Sequence, residues 1–180
     1  AQLTKAIGTE PDALVVSALA AEATQIIIQA RALGYTGHII GGNGFNSPAV
    51  LSSSGKDAEG LIVGGAWNYG NPNPSESSVE FVKNYEAKYN SSPDQFAAQA
   101  YTGAWLLATA VRCADSVDHK AVRDTLAAIK DFNSPLGVFS FDENRDPVHE
   151  PIAQLVVGGK FTPLALAMSA EAAPEATASS

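Results

Sequence analysis

Few residues of this 180-residue chain could do chemistry, and most sit in patterns that defeat the chemistry they suggest. Asp142, Asn144 and Asp146 have the D-x-N-x-D spacing that opens a calcium loop. The sixth position of that loop must turn sharply on glycine and the twelfth must supply a bidentate glutamate, but here they are Pro147 and Ala153. A hairpin turn is the better account of the segment. His38, His119 and His149 are far apart, none lies in an H-E-x-x-H pattern, and Cys113 is the only cysteine, so neither a zinc set nor an internal disulfide can be assembled. Cys113 lies in the apolar run AVRCA and reads as an inert core thiol. No Walker loop, nucleophile elbow or dinucleotide fingerprint occurs, because Gly42, Asn43 and Gly44 are followed by Phe45, Asn46 and Ser47. Asp142 and Glu143 form a charged run of the solvated kind, and no nucleophile, base and oxyanion set can be built around them. The chain does not read as an enzyme. Asn90 to Ser92 matches a glycosylation acceptor, a short pattern on an expected surface turn.

What remains is binding, and the stretch suited to it is residues 11–48, which reads as strand, helix and strand. Leu14, Val15 and Val16 are a short β-rich run led in by Pro11 and Asp12. From Ala20 the apolar residues Ile26, Ile27, Ala30 and Leu33 take helical spacing, Glu22 falls in the first turn, and Gly34 stands where a helix would end. Ile39 and Ile40 begin a second strand. Two strands joined through a helix are most simply parallel, and ligands of open parallel sheets bind beyond the carboxyl ends of the strands. Those ends carry Ala18 and Leu19, then the loop with Asn43 and Phe45. Asn43 offers two donors and an acceptor, and Phe45 an apolar face. Alternatively, GGNG is only a tight turn into the helix that Ser47 caps and Pro48 begins. A third strand, residues 61–66, ends at Trp67, Asn68 and Tyr69, where aromatics would stack on a ligand or cover the sheet end.

After the Pro-rich linker GNPNPS the pattern becomes helical. Val79, Val82 and Tyr85 line one helix. Residues 92–95, SPDQ, read as a capping box opening a second helix, with a stripe of Phe96, Ala97, Ala100, Tyr101, Ala104 and Ala108. Asp118 caps a third helix carrying Val122, Leu126 and Ile129. From Val138 the chain reads as an antiparallel meander reaching Phe161, with a turn at GGK. The division expected is residues 1–69 with 137–163 in one lobe and 74–131 in the other, crossing at 70–73 and 132–136, with 164–180 a disordered tail rich in Ala, Ser and Glu.

At 46% hydrophobic residues the chain can build a core, and no run of about 20 apolar residues spans a membrane. A net charge of −8 with only 11 Lys and Arg excludes clustered phosphate contacts, hence a nucleic-acid partner. Leu3 and Ile7 have helical spacing with no cap before them, so the chain reads as beginning inside a helix.

Three stretches together are familiar: residues 11–35 with IIGGNGFNSP, then SPDQFAAQAYTGAWLLATAV, then LGVFSFDENRDPV. They resemble the second half of the type I periplasmic solute-binding proteins of branched-chain amino acid ABC transporters, over roughly residues 1–163. The resemblance implies an α/β, doubly wound parallel sheet in an incomplete two-lobed clamp: most of the second lobe plus helices of the first. It implies a periplasmic or extracellular protein, membrane-associated through its transporter, that delivers an amino acid, keto acid or aromatic acid to an ABC permease without a cofactor. A sensory domain reporting to a receptor or regulator is the alternative use of the same architecture. The candidate ligand-binding residues are Ala18, Leu19, Asn43, Phe45, Trp67 and Tyr101. Leu19 stands where relatives have an aromatic over the ligand, and Asn43 where they have the acid that pairs with its ammonium. A neutral amide cannot neutralise an ammonium in a dry site. With the preceding half missing, an unpaired sheet edge before Leu14 and an uncovered face on the Phe96 helix imply self-association.

Overall fold

The short helix α1 (Gln2–Ile7) leads into β1 (Ala13–Val16), in a computed structural model that describes residues 1–171. Helix α2 (Ala20–Ala32) follows, burying Ala23, Ile27 and Ala30 at helical spacing. It ends as Gly34 predicts: Tyr35 N–H donates to Ala30 O at 3.0 Å and Gly34 N–H to Arg31 O at 2.9 Å. Strand β2 (His38–Gly41) pairs in parallel with β1, Leu14 opposite Ile39. Helix α3 (Pro48–Ser54) starts on the expected cap, with Ser47 Oγ accepting from Ala49 N–H at 3.3 Å, and β3 (Ile62–Gly65) runs parallel to β2. The apolar core gathers Leu14, Ile27, Ile39, Phe45, Val50 and Val63.

The next elements are α4 (Glu76–Tyr89), α5 (Gln95–Ala114) and α6 (His119–Ala128). In α4 the buried residues are Ser78 and Phe81, while Val79 of the expected stripe is exposed. The cap of α5 is Asp94, whose Oδ1 accepts from Ala97 N–H at 2.9 Å, so the helix opens two residues later than a Ser92 cap would place it. Its buried face is Gln95, Ala98, Thr102, Leu106 and Ala110, and the predicted stripe lies on the opposite side with Phe96 and Tyr101 exposed. The helix is apolar nearly all round, so spacing alone gives no phase. Cys113 is exposed, contrary to a core thiol, because it sits on the last turn beyond the covered part of that face.

Strands β4 (Phe132–Ser134), β5 (Gly137–Phe141) and β6 (Pro147–Val148) form a small antiparallel sheet of their own. The DENRD segment is the β5–β6 turn: Asp142 Oδ1 accepts from Asn144 N–H at 2.9 Å and Asp146 N–H at 2.8 Å. Then β7 (Ile152–Val157) pairs antiparallel with β3, and β8 (Lys160–Pro163) returns through Gly158 and Gly159 to give the sheet order β1-β2-β3-β7-β8. The expected meander is thus two separate pieces. By contacts the chain divides into Ala1–Gly70 with the stretch from Ile152 on, and Asn71–Pro151. The return crossing therefore falls at Pro151, whereas residues 132–136 belong to β4 and its turn. Part of the expected disordered tail is the helix α7 (Leu164–Glu171), with Ala167 buried; the rest lies outside the described residues.

Candidate functional site

The carboxyl ends of β1, β2 and β3 lie side by side, because the three strands are adjacent and parallel. Close backbone contact joins the first two loops. A Cβ on Gly44 would stand 2.2 Å from Ala18 O and 3.1 Å from Leu19 Cα, so only glycine lets them meet. The third loop is tied in by buried Asn46, whose Nδ2 donates to Trp67 O at 3.4 Å.

Within this frame the predicted residues play different parts. Leu19 is 73% exposed just ahead of α2, Ala18 is half-buried beside it, and Asn43 is exposed at the start of a single 3-10 turn, Asn43–Phe45. Phe45 presents no face to a ligand, because its ring is fully buried against Gly41, where a Cβ would stand 2.2 Å from Cγ. It anchors the loop from beneath. Trp67 is only 4% exposed, and its ring makes a T-shaped contact with Tyr69, 6.5 Å between centroids. Tyr69, 54% exposed, is the aromatic that faces outward there, and the spacing of residues 67–69 gave no sign of which ring would be covered. Asn68 fixes the same segment: its Oδ1 accepts from Gly70 N–H at 2.6 Å, and its Nδ2 donates to Phe161 O at 3.1 Å and to Gln154 Oε1.

Tyr101 belongs to the other unit. There its ring lies 5.0 Å from Phe81 and 6.3 Å from Trp105, on a groove of about 360 Å³ that Ser77, Glu80, Phe132 and Pro135 help to line. A second hollow, about 480 Å³, lies at the amino edge of the first unit's sheet beside Glu10, Asp12, Tyr35 and His38. Among the described residues no group of three or more His, Cys, Asp or Glu could hold a metal, and no helix is long and apolar enough to cross a membrane.

This sheet, carrying its glycine-bearing loops on one edge, has the type I periplasmic binding protein fold. It superposes on a leucine-binding protein of Thermotoga maritima with a TM-score of 0.83 at 28% identity, covering 90% of this chain and 46% of that one. The branched-chain amino acid transporter substrate-binding protein of Streptococcus pneumoniae, solved with isoleucine, gives 0.77 at 32% identity, with 89% and 45% covered. An ABC transporter solute-binding protein of Rhodopseudomonas palustris, solved with benzoate, gives 0.74 at 26%, with 91% and 45% covered. The family model described as periplasmic binding protein matches residues 1–160, and the chain belongs to that family. It spans about half the length of the structures it matches.

Proposed function

We propose that the protein carrying this chain is an extracytoplasmic, non-enzymatic solute-binding component that captures a small amino-acid-like or organic-acid ligand and hands it to an ABC permease at the membrane. The observation that carries this reading is the convergence of three strand-end loops on one edge of a parallel sheet, with Gly44 packed on the Ala18 backbone and exposed Leu19, Asn43 and Tyr69 nearby. Such an edge is where α/β sheets receive ligands. It offers surfaces for contact and hydrogen bonding and no nucleophile with an adjacent base, so it suits capture and release. Within the second unit, Tyr101 is the candidate contact residue, on the groove it shares with Ser77, Glu80 and Phe132.

A thermal-shift screen of amino acids, keto acids and aromatic acids on the full-length protein tests the reading. A true ligand at about 100 times its Kd adds about 2.7 kcal/mol of stability and raises the melting temperature by several degrees. No shift with any of the three classes would remove the support for transport binding. Delivery is checked by reconstituting the permease in vesicles, where loaded protein should stimulate ATP hydrolysis and empty protein should do so less.

A further inference from the structure

Asparagine is a thermolabile residue. Its carboxamide carbon can be attacked by the backbone nitrogen of the next residue, so what matters is whether that N–H exists, is unhindered and can move. The structure sorts the nine asparagines of the chain on this ground. Asn71 and Asn73 precede prolines, which have no N–H to give. Asn84 lies inside α4, where the following N–H belongs to the helical ladder. The N–H after Asn46, on Ser47, donates to Phe45 O at 2.9 Å, and the one after Asn144, on Arg145, donates to Asp142 O at 3.1 Å. Asn68 is buried with its carboxamide bonded to Gly70, Phe161 and Gln154, and Asn133 leads into buried Ser134 within β4. Two remain, both exposed: Asn90, the left-handed residue that ends α4 ahead of Ser91, and Asn43 ahead of Gly44. Of these, Asn43 is the one whose successor has no side chain to shield the attacking nitrogen.

Asn43 opens a single 3-10 turn, closed by Asn46 N–H on Asn43 O at 3.1 Å and Phe45 N–H on Gly42 O at 2.9 Å, and one such turn opens locally at far less cost than a strand. We infer that the Asn43–Gly44 bond is the protein's site of spontaneous modification, where asparagine becomes isoaspartate and the first two strand-end loops come unfastened. Gly44 N attacks Asn43 Cγ, its proton passes to the departing nitrogen, and ammonia leaves a five-membered succinimide. Water then adds to either ring carbonyl and gives aspartate or isoaspartate. The step is intramolecular and needs only water, so it does not depend on what faces this loop. In isoaspartate the main chain runs through the former side chain and gains a methylene, while the carbonyl that accepted from Asn46 becomes part of a carboxylate. Gly44 cannot shift to take up the added length, because a Cβ there would already stand 2.2 Å from Ala18 O and 3.1 Å from Leu19 Cα.

The test is peptide mapping by mass spectrometry of the full-length protein, kept folded and warm in mildly alkaline buffer and sampled over weeks. Asn43 should gain the mass of an amide turned acid at least about tenfold faster than any other asparagine, a barrier lower by about 1.4 kcal/mol. A methyltransferase specific for isoaspartate should label the same peptide, and the more acidic form, separated by anion exchange, should melt several degrees below the unmodified protein. Asn43→Gln, whose longer side chain would have to close a six-membered ring, should abolish the change and keep the melting temperature. Another asparagine converting as fast as Asn43 overturns the assignment. Conversion of Asn43 in urea but not in the folded protein also overturns it, because the turn then does not open. An isoaspartate form that melts like the unmodified protein overturns the unfastening of the loops.

Discussion

A methyl group at Gly44 has no room: it would overlap the Ala18 carbonyl oxygen, a backbone atom that cannot swing aside. Gly44→Ala should therefore push the first two loops apart and destabilise the protein by about 1–3 kcal/mol, the range for forced overpacking, and weaken the ligand as well. Phe45→Ala, which empties a fully buried ring site, should cost about 3–5 kcal/mol. Asn43→Ala, at an exposed position, should leave urea unfolding within about 0.5 kcal/mol of wild type. Equal unfolding free energies for the Phe45 and Asn43 variants would refute this division between support and contact. The sequence marks residues 41–45 as a strand-end loop, serving either a ligand or a tight turn into the next helix. It does not separate Asn43 from Phe45, because which of two residues in a single 3-10 turn faces the core depends on Gly41 leaving space for the ring. The same holds for Trp67 and Tyr69, two aromatics at one strand end of which only the second faces outward.

Among elements, the strand, helix and strand of residues 13–41 were legible because each signal agreed with the next: a short β-branched run, a 3.6-residue apolar period, and a glycine where the helix stops. Helix α5 was legible as a helix but not in its phase. Helix α6 shows which local interactions carry weight. Asp118 Oδ1 accepts from Lys120 N–H at 3.1 Å and Ala121 N–H at 3.0 Å, closing off donors that the helix cannot satisfy itself. Asp118→Ala should cost about 1 kcal/mol. Asp124 bonds to Lys120 Nζ at 2.8 Å and to Arg123, and these partners, Lys120 first, hold its carboxyl below the ordinary carboxylate range. A depressed folded value contributes stability above the unfolded pKa and loses it as pH falls through the folded value. The pair is solvent-exposed, so Asp124→Asn should leave the unfolding midpoint at pH 7 within error. Between β3 and β7 the order is reversed and burial decides. Gln154 is fully buried, its Oε1 held by Asn68 and its Nε2 without a partner. Asn68→Ala strands the whole amide and should cost about 1–3 kcal/mol, whereas Gln154→Leu removes the orphan and should come close to neutral. The reverse ranking in urea melts would show that the amide pair is not what holds these strands.

At the scale of the whole chain, the first crossing was legible because prolines and polar residues interrupt two different patterns near Gly70. The second was not, since residues 137–163 read as continuous β pattern and only pairing assigns β5 to one sheet and β7 to another. The same division leaves surfaces that strand pairing and helix packing elsewhere in the chain do not cover. β1 ends the sheet order and carries Val15 at 81% exposure, a short edge with no charged or proline residue to discourage another strand. On α5, the side away from Ala98 and Leu106 exposes Phe96, Tyr101, Trp105 and Leu107. An apolar helix face of that breadth is unusual on a monomer and favours association. The net charge of −8 opposes it, but at physiological salt such repulsion is screened within about 8 Å and does not act against contact burial. We therefore expect the 180-residue chain, produced by itself, to associate with a second copy through these two surfaces. Sedimentation velocity over a hundredfold range of concentration should show a dimer or larger species growing with concentration. Val15→Lys should reduce it by charging the strand edge, and Trp105→Glu by charging the helix face, while neither should lower the melting temperature much because both side chains are half or more exposed. A single monomer boundary at every concentration would mean that these surfaces are tolerated by the isolated chain, and would sink the prediction.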